Sequence, residues 1–305
     1  MKKYGLFLLF LFCFAYAQTA AFDPDSTDFF LDTKIMEDGS IVNIGFGLGY
    51  NDIWGGEIRG QGTKTAKNEE MDDPDIADSL IAINETVYEL YLLPIQYRIK
   101  KPNLRFRAGA GLYYEYQKSN EKGFVDMPFL EDQGLERVNL ILSDFTMHIA
   151  GPLLDAGVKY DSDLFSVSFS AGIVPVFFLN ASEKYSMYPL IPQTEENSQT
   201  TGGSPYFYLN LDSVLFRYFN LKALYNFAHL KFKVIDFDNN GSVIYPDRTV
   251  VTQSLMLEIS LLIPLGAVNF QIGYGNMSNF YTLDSGDPAK NNKHYLVLSG
   301  KKIGL

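Results

Sequence analysis

The side chains of residues 104–116 alternate between apolar and polar or small types. One parity holds Leu104, Phe106, Ala108, Ala110, Leu112, Tyr114 and Tyr116, and the other holds Arg105, Arg107, Gly109, Gly111, Tyr113 and Glu115. A period of two is typical of a β-strand with one apolar face. The run has 13 residues, whereas soluble strands average ~5–6 residues and a tilted bilayer crossing needs ~9–11. The pattern predicts a membrane-spanning strand with apolar side chains toward lipid and the others toward a lumen.

Similar alternation recurs and predicts ten strands, at 41–60, 85–99, 104–116, 143–160, 164–180, 205–218, 221–235, 249–264, 267–283 and 293–305. Short turns alternate along the chain with long polar loops at 61–84, 117–142, 181–204, 236–248 and 285–292. An even number of strands with all long loops at one end is typical of a transmembrane barrel. The fold class is therefore all-β, a transmembrane antiparallel up-and-down β-barrel of about ten strands, in one domain over 41–305.

Prolines inside two predicted strands indicate bulges, because proline removes a donor from the hydrogen-bond ladder. The apolar parity changes across Pro94, from Leu92 to Ile95, and across Pro152, from Ile149 to Ala156. A bulge inserts one residue and exchanges the two faces beyond it. Both prolines are therefore predicted to mark a change of face.

The chain begins with a pattern typical of export. Lys2 and Lys3 precede an apolar run over 4–15, and Ala15 and Ala17 are the small residues that a signal peptidase reads, which predicts a signal peptide at 1–17. A retained membrane helix is disfavoured because such a helix needs ~20 apolar residues. The only cysteine, Cys13, lies in this segment. Residues 18–40 are acidic and rich in turn-forming residues, and we expect a periplasmic tail there.

Charge and composition narrow the class of partner. The formal net charge is −11, and loss of a signal peptide with two lysines and no acidic residue makes it −13. Such a balance argues against nucleic acid, because phosphates select basic surfaces. The 24 Phe, 20 Tyr and 25 Gly residues favour β structure, in which aromatic side chains are common and glycine marks bulges and close approaches.

Over 41–305 the chain resembles bacterial outer-membrane β-barrel proteins as a class. The resemblance lies in the alternation of apolar and polar residues, in the even number of strands, and in both chain ends falling on the side of the short turns. The resemblance implies an outer-membrane location with extracellular long loops and periplasmic termini. It also implies membrane lipid and the barrel-assembly machinery as partners. The strand count and length further resemble those of the omptin proteases. The alternative is a soluble exported β-sandwich or adhesin.

The polar parity predicts a lumen of mixed charge. Its residues are Glu89, Arg98, Arg105, Arg107, Glu115, Asp155, Lys159, Asp212, His229, Lys231 and Glu258. Counting back from the turn at 100–103 places Arg98 opposite Arg105 and Glu89 opposite Glu115, with Asp155 near enough to neutralise the arginines. Such residues form either a constriction that selects small solutes or ions or a salt-bridged plug that fills a narrow tube.

Oxygen-bearing side chains at alternate positions predict a calcium site. Asp236, Asp238, Asn240, Ser242 and Asp247 resemble an EF-hand calcium loop in their spacing. The flanking helices are missing, and Asp replaces the usual closing Glu. The alternative is an exposed hairpin tip, for which Asn240 followed by Gly241 is a strong signal.

Two non-enzymatic functions fit these features, a narrow porin-like solute passage and a loop-presenting surface protein, with the small solute or surface ligand unidentified. The rival class is an outer-membrane hydrolase of omptin-like architecture. His229 and Glu258 are the nearest approach to a general-base pair. The sequence shows no Gly-x-Ser-x-Gly nucleophile motif.

Overall fold

The computed structural model describes residues 28–49, 53–69, 78–126, 137–188, 191–202, 206–233, 236–237, 242–265, 268–283 and 289–302. Within these ranges, no helix is long and apolar enough to cross a membrane. The strands are β1 (Asp28–Met36), β2 (Gly39–Gly49), β3 (Trp54–Glu69), β4 (Asp78–Lys101), β5 (Leu104–Asp126), β6 (Arg137–Asp161), β7 (Phe165–Val174), β8 (Phe177–Tyr188), β9 (Ile191–Gly202), β10 (Tyr206–Leu215), β11 (Phe219–Lys233), β12 (Asp236–Phe237), β13 (Val243–Ile244), β14 (Asp247–Leu265), β15 (Val268–Leu283) and β16 (Ala289–Lys302).

Twelve strands form a closed antiparallel ring in the order β1 to β7, β10, β11, β14, β15 and β16. The ring closes where β1 pairs with β16, with Leu31 opposite Gly300. Closure leaves no open strand edge in the ring itself. The predicted all-β antiparallel barrel is confirmed, and the predicted count of about ten strands is wrong.

Two strands account for the difference in count. Residues 41–60 contain two strands, β2 and β3, which pair with each other. Strand β1 lies in the segment predicted as a periplasmic tail, so the barrel includes residues 28–36 and does not start at 41. Its inward side chains Asp32 and Lys34 are charged, which makes its sequence look like a solvated tail. The predicted signal peptide at 1–17 and residues 18–27 of the predicted tail lie outside the described residues.

The outer surface carries an apolar band. In β14, Leu255, Leu257, Ile259, Leu261 and Ile263 are exposed, while the alternate residues from Met256 to Leu262 are buried. With ~3.4 Å per residue and a strand tilt of ~35–45°, this stretch is roughly 20 Å tall, close to the ~25 Å of an outer-membrane barrel. Aromatic pairs flank the band: Trp54 contacts Tyr97 near one end, and Tyr88 stacks on Tyr116 nearer the other.

The two ends of the barrel differ. The short-turn end carries the connections 50–53, 102–103, 162–164, 216–218 and 266–267, together with the first residue of β1 and the last of β16. The opposite end, called here the long-loop end, carries the connections 70–77, 127–136 and 284–288. One connection there, between β1 and β2, is short, since it spans only residues 37–38.

Several strands continue beyond the apolar band at the long-loop end. Strands β4, β5 and β6 have 24, 23 and 25 residues. Strand β8 pairs with the outer part of β6, and β9 pairs with β8, while β7 and β10 lie in the ring below them. We call this extension, formed by the outer parts of β4, β5 and β6 with β8 and β9, the protruding wall.

The protruding wall corrects the predicted loops at 117–142 and 181–204, and β3 and β4 likewise occupy much of 61–84. Its strands carry few alternating apolar residues, so their sequence looks like a loop, although Val125 and Val138, which lie opposite each other in β5 and β6, are buried. Ion pairs cross its strands instead. Lys184 lies opposite Glu195 with 3.3 Å between Nζ and Oε2, and Lys122 Nζ lies 3.0 Å from Asp144 Oδ2.

The prolines behave differently from each other. The bulge predicted at Pro94 is confirmed, because the β4–β5 register shifts between Leu92 and Ile95. The change of face predicted at Pro152 is wrong, since Ile149 and Leu153 are both buried on the same parity. Pro152 lies where β6 exchanges its partner β7 for β8, so no ladder donor is required there.

Candidate functional site

A network of ion pairs and hydrogen bonds crosses the lumen. Arg59 Nε lies 2.9 Å from Glu57 Oε1, and Arg107 Nη1 lies 3.0 Å from Glu57 Oε2. Asp155 receives both arginines, at 3.5 Å from Arg59 Nη2 and 3.4 Å from Arg107 Nε. Tyr208 donates its hydroxyl hydrogen to Asp155 and accepts a hydrogen bond of 2.9 Å from Arg59 Nη2. We call these five residues the arginine bridge.

The arginine bridge spans most of the barrel's width. Arg59 lies in β3 and Tyr208 in β10, which are five strands apart in a ring of twelve. The guanidinium of Arg59 also lies over the ring of Tyr91, 5.2 Å from its centroid, a cation–π distance. Side chains from opposing walls therefore meet across the lumen at this level.

A cluster of tyrosines and glutamates lies beside the bridge. Glu89 lies opposite Glu115, as the sequence predicts. Tyr91 donates to Glu89 at 2.7 Å, and Tyr113 donates to Glu115 at 2.6 Å. The rings of Tyr113 and Tyr206 stack with centroids 4.7 Å apart. These phenols satisfy two carboxylates that face each other across one ladder, an arrangement that is otherwise unfavourable.

Apolar side chains fill the same half of the lumen. The buried members of this interior cluster are Leu93, Tyr113, Met147, Ile149, Leu153, Val174, Phe177, Leu179, Ala181, Tyr206, Tyr208 and Leu230. Several of them come from β8, so the base of the protruding wall also packs inward. This half of the barrel is a packed core.

A second ionic network lies on the other wall. Lys34 Nζ is 3.1 Å from Asp32 Oδ2 and 3.0 Å from Glu258 Oε1. Lys222 Nζ lies 3.9 Å from Asp32 Oδ2, and the Tyr295 hydroxyl donates to Glu258 Oε1 at 3.1 Å. We call these five residues the lysine network. Asp32 and Lys34 were missed in the sequence because they fall in the segment predicted as a tail.

A cavity of about 160 Å³ lies between the arginine bridge and the lysine network. It is open on one side, and we call it the chamber. Its polar lining comprises Asp32, Glu89, Asp212, Glu258, Lys34, Arg59, Lys222, Asn43, Gln61, Asn210, Asn226, Tyr91 and Tyr208. Two of its buried carboxylate oxygens, Asp32 Oδ1 and Glu258 Oε2, receive no hydrogen bond from any described residue.

Uncharged polar side chains continue from the chamber toward the short-turn end. Asn220 lies opposite Ser260, and Gln271 lies opposite Ser299 in the next pair of strands. All four side chains are buried, and Gln271 donates its amide hydrogen to the Ser260 hydroxyl. Neither side-chain polar atom of Asn220 has a hydrogen-bond partner among the described residues. We call these four residues the polar floor. Asn220 and Ser260 lie two residues nearer the short-turn end than Lys222 and Glu258 of the chamber lining.

Most of the predicted lumen residues do face the interior. Glu89, Asp212 and Glu258 line the chamber, and Arg107 and Asp155 belong to the arginine bridge. Glu115 binds Tyr113, and Arg98 donates to Gln96 at 2.9 Å. Arg105 and Lys159 lie near the short-turn end, each within 4 Å of Asp161.

One predicted pairing of the arginines is wrong. Arg98 lies opposite Arg107, not opposite Arg105, because the turn contains only Pro102 and Asn103. Asp155 was predicted to neutralise Arg98 and Arg105, but it pairs with Arg107 and with Arg59, a residue that the sequence pattern did not single out. Arg105 lies beside Asp161 instead.

Two other predicted lumen residues face outward. In β11 the even positions Lys222, Leu224 and Asn226 line the chamber, so His229 and Lys231 lie on the opposite face. Lys231 Nζ is 3.1 Å from Asp247 Oδ2, and both side chains are mostly exposed. The suggested general-base pair of His229 and Glu258 is therefore wrong, since the two lie on opposite faces.

The predicted calcium loop is described only in part. Asp238 and Asn240 lie outside the described residues. Strands β12 and β13 pair as a small hairpin, with Asp236 opposite Ile244, and Asp247 contacts Lys231. No group of three or more His, Cys, Asp or Glu side chains suited to a metal occurs in the part of the chain that the structure describes. The calcium site stays a prediction.

The closed ring, the apolar outer band and the ionic interior define the chain as a transmembrane antiparallel β-barrel. No family model matches the sequence, and no curated protein matches it. Among solved structures, the toluene transporter TodX of Pseudomonas putida is 10% identical, with 92% of this chain and 91% of that chain covered and a TM-score of 0.40. The CymD monoaromatic hydrocarbon channel is 10% identical, with 91% and 88% covered and a TM-score of 0.37. The outer-membrane protease OmpT of Escherichia coli is 11% identical, with 92% and 97% covered and a TM-score of 0.30.

Proposed function

We propose that this protein is an integral outer-membrane barrel that passes a small polar solute through the half of its lumen that holds the chamber. The observation that carries the proposal is the chamber itself, a cavity of about 160 Å³ with charged and amide side chains on its walls. A barrel interior that served only for packing would pair its buried polar atoms, because an unpaired buried polar group costs ~1–3 kcal/mol.

The route has a direction along the barrel. The polar floor lies between the chamber and the short-turn end, and its unpaired atoms at Asn220, Gln271 and Ser299 continue the polar lining. Asn220 and Gln271 have no exposed surface, so the floor is the closed point of the route. A solute that leaves the chamber downward must displace these side chains.

We further propose that the long-loop end faces outside the cell and that the short-turn end, with the first residue of β1 and the last residue of β16, faces the periplasm. Outer-membrane barrels have short periplasmic turns and longer external loops. Insertion in this orientation requires membrane lipid around the apolar band and the barrel-assembly machinery as a partner during folding.

Conductance in planar bilayers tests the passage. We expect small steps for the wild type and several-fold larger steps when the floor is opened by Asn220→Ala together with Gln271→Ala, because both side chains close the route. The matched control is Leu221→Ala, since Leu221 is the neighbour of Asn220 and faces outward. Absence of conductance in both the wild type and the double variant contradicts the passage.

The second candidate function is presentation of a surface, and the protruding wall favours it. In β5, residues 117–126 extend beyond the apolar band, a length of ~30 Å at ~3.3 Å per residue. Protease treatment of intact cells tests this candidate. Cleavage within 127–136 or 189–190 that spares the barrel fits surface exposure, and protection of both connections contradicts it.

A further inference from the structure

The chemistry of the chamber indicates the class of its solute, and this inference rests on the proposed passage. We propose that the chamber binds a neutral, hydroxyl-rich ring compound, such as a single sugar ring or a cyclic polyol. Size, hydrogen-bonding capacity and charge each lead to this class.

Size limits the solute to about one ring. The chamber has a volume of about 160 Å³, and an enclosed cavity of ~150 Å³ holds one benzene molecule. The open side of the chamber leaves room for substituents on such a ring. A second ring of the same size would have to extend out of the chamber into the lumen.

Hydrogen bonding requires a solute that donates. The free oxygens Asp32 Oδ1 and Glu258 Oε2 accept no hydrogen bond from the described residues, although both side chains are at least nine-tenths buried. The side chains of Asp32 and Glu258 line the chamber together with those of Asn43 and Asn226, whose amides both donate and accept. A hydroxyl group matches this mixed lining, because it donates to a carboxylate and accepts from an amide or ammonium.

Charge argues against an ion. Lys34 Nζ already lies 3.1 Å from Asp32 and 3.0 Å from Glu258, so a bound ammonium would meet a like charge beside either free oxygen. A carboxylate or phosphate would meet four lining acids, and the three lining cations Lys34, Arg59 and Lys222 each already lie within 4 Å of a carboxylate oxygen. A neutral polyol uses the free oxygens and meets neither repulsion.

Calorimetric titration of the detergent-solubilised protein with myo-inositol and with glucose tests the inference, and cyclohexanol and choline are the comparison ligands. We expect heats of binding for the two polyols and none for the comparison ligands. Asp32→Asn is expected to weaken polyol binding about tenfold or more, because a hydrogen bond to a charged group is lost.

A second lining variant and a control allow for misfolding of Asp32→Asn. Asn226→Leu removes one donor and one acceptor from the chamber and leaves the lysine network intact. Lys231→Ala changes an exposed residue outside the chamber and is expected to bind as the wild type does. Heat-modifiable gel mobility checks that each variant is folded.

The outcomes separate this inference from the proposed passage. Conductance together with polyol binding that is weaker in the folded lining variants supports both. Conductance without polyol binding, or with tighter binding of choline, overturns the inference and keeps the passage. Polyol binding that is unchanged in Asn226→Leu and Asp32→Asn also overturns it. Absence of both conductance and binding overturns both proposals.

Discussion

Arg59 donates a hydrogen bond of 2.9 Å to the hydroxyl of Tyr208 across the lumen. The two residues lie in β3 and β10, nearly opposite in the ring, so their contact links two distant walls. The same contact forms one side of the chamber. The arginine bridge therefore has two consequences: it holds the walls together, and it narrows the passage.

Removal of Arg59 is expected to affect stability and conductance in opposite directions. In Arg59→Ala, Glu57 and Asp155 keep only Arg107 as a cationic partner from the arginine bridge. Breaking a buried ion pair by removing one partner typically costs ~3–5 kcal/mol. We expect a loss of free energy of unfolding of this order in urea titrations in lipid vesicles, together with larger conductance steps.

Arg105→Ala is the control for Arg59→Ala, because Arg105 lies near the short-turn end, and its ion pair with Asp161 is partly exposed and 3.8 Å long. A partly exposed pair contributes ~0–1 kcal/mol. Equal losses of stability in the two variants, or smaller conductance in Arg59→Ala, would contradict the role assigned to the arginine bridge.

Glycine is required where the ring of Tyr208 crosses the neighbouring strand. A Cβ atom at Gly172 would lie 2.2 Å from Tyr208 Cε1, too close for the ring to keep its position. Overpacking of this kind typically costs ~1–3 kcal/mol. We expect Gly172→Ala to lower the urea midpoint and to displace Tyr208 from Arg59, which would be detected as larger conductance steps.

Gly60 provides the matched comparison for Gly172. It also lies on a barrel strand, but the nearest atom to an added Cβ is 3.6 Å away, at Ile44 Cγ2, which is ordinary contact. Gly60→Ala is expected to keep the wild-type free energy of unfolding to within ~1 kcal/mol. If Gly172→Ala and Gly60→Ala had the same free energy of unfolding, the Tyr208 ring would move aside at no cost.

The sequence predicted the spanning parts of the barrel well because lipid imposes a strict alternation there. Leu112 and Arg107 in β5 face the sides that their parity predicts, and so do Leu90 and Ile95 on either side of the bulge at Pro94. In these segments one face meets hydrocarbon and the other meets polar groups, so the pattern is unambiguous.

Prediction failed where this contrast is lost. Met147 and Ile149 are apolar yet face the interior, because they pack in the interior cluster, so parity alone assigned them to lipid. Asp32 and Lys34 are charged and their strand is short, so β1 looked like a tail. The ion pair between Lys34 and Glu258 joins β1 to β14, which lie far apart in the sequence. No local pattern of residues predicts such a pair.

A charged side chain introduced into the apolar band is expected to lower the free energy of unfolding, and most strongly at the middle of the band. Leu257 lies in the middle of the outward series of β14 and is exposed. Arginine on the lipid face at the bilayer midplane costs ~2–4 kcal/mol. We expect Leu257→Arg to lower the free energy of unfolding in vesicles by this amount. Asn197→Arg, on the exposed part of β9 in the protruding wall, is expected to have little effect. Equal effects of the two arginines would place the band elsewhere.

The base of the protruding wall is expected to be part of the barrel's core, and its outer part is not. Leu179 in β8 is 2% exposed and packs in the interior cluster, whereas Lys184, five residues further along, pairs at the surface with Glu195. Leu179→Ala leaves a cavity and is expected to cost ~2–5 kcal/mol, while Lys184→Ala removes an exposed ion pair and is expected to cost less than ~1 kcal/mol. Urea titration of both variants measures the difference. If Leu179→Ala were as mild as Lys184→Ala, β8 would be an appendage of the barrel, and the packed half of the lumen would have to be stable without it.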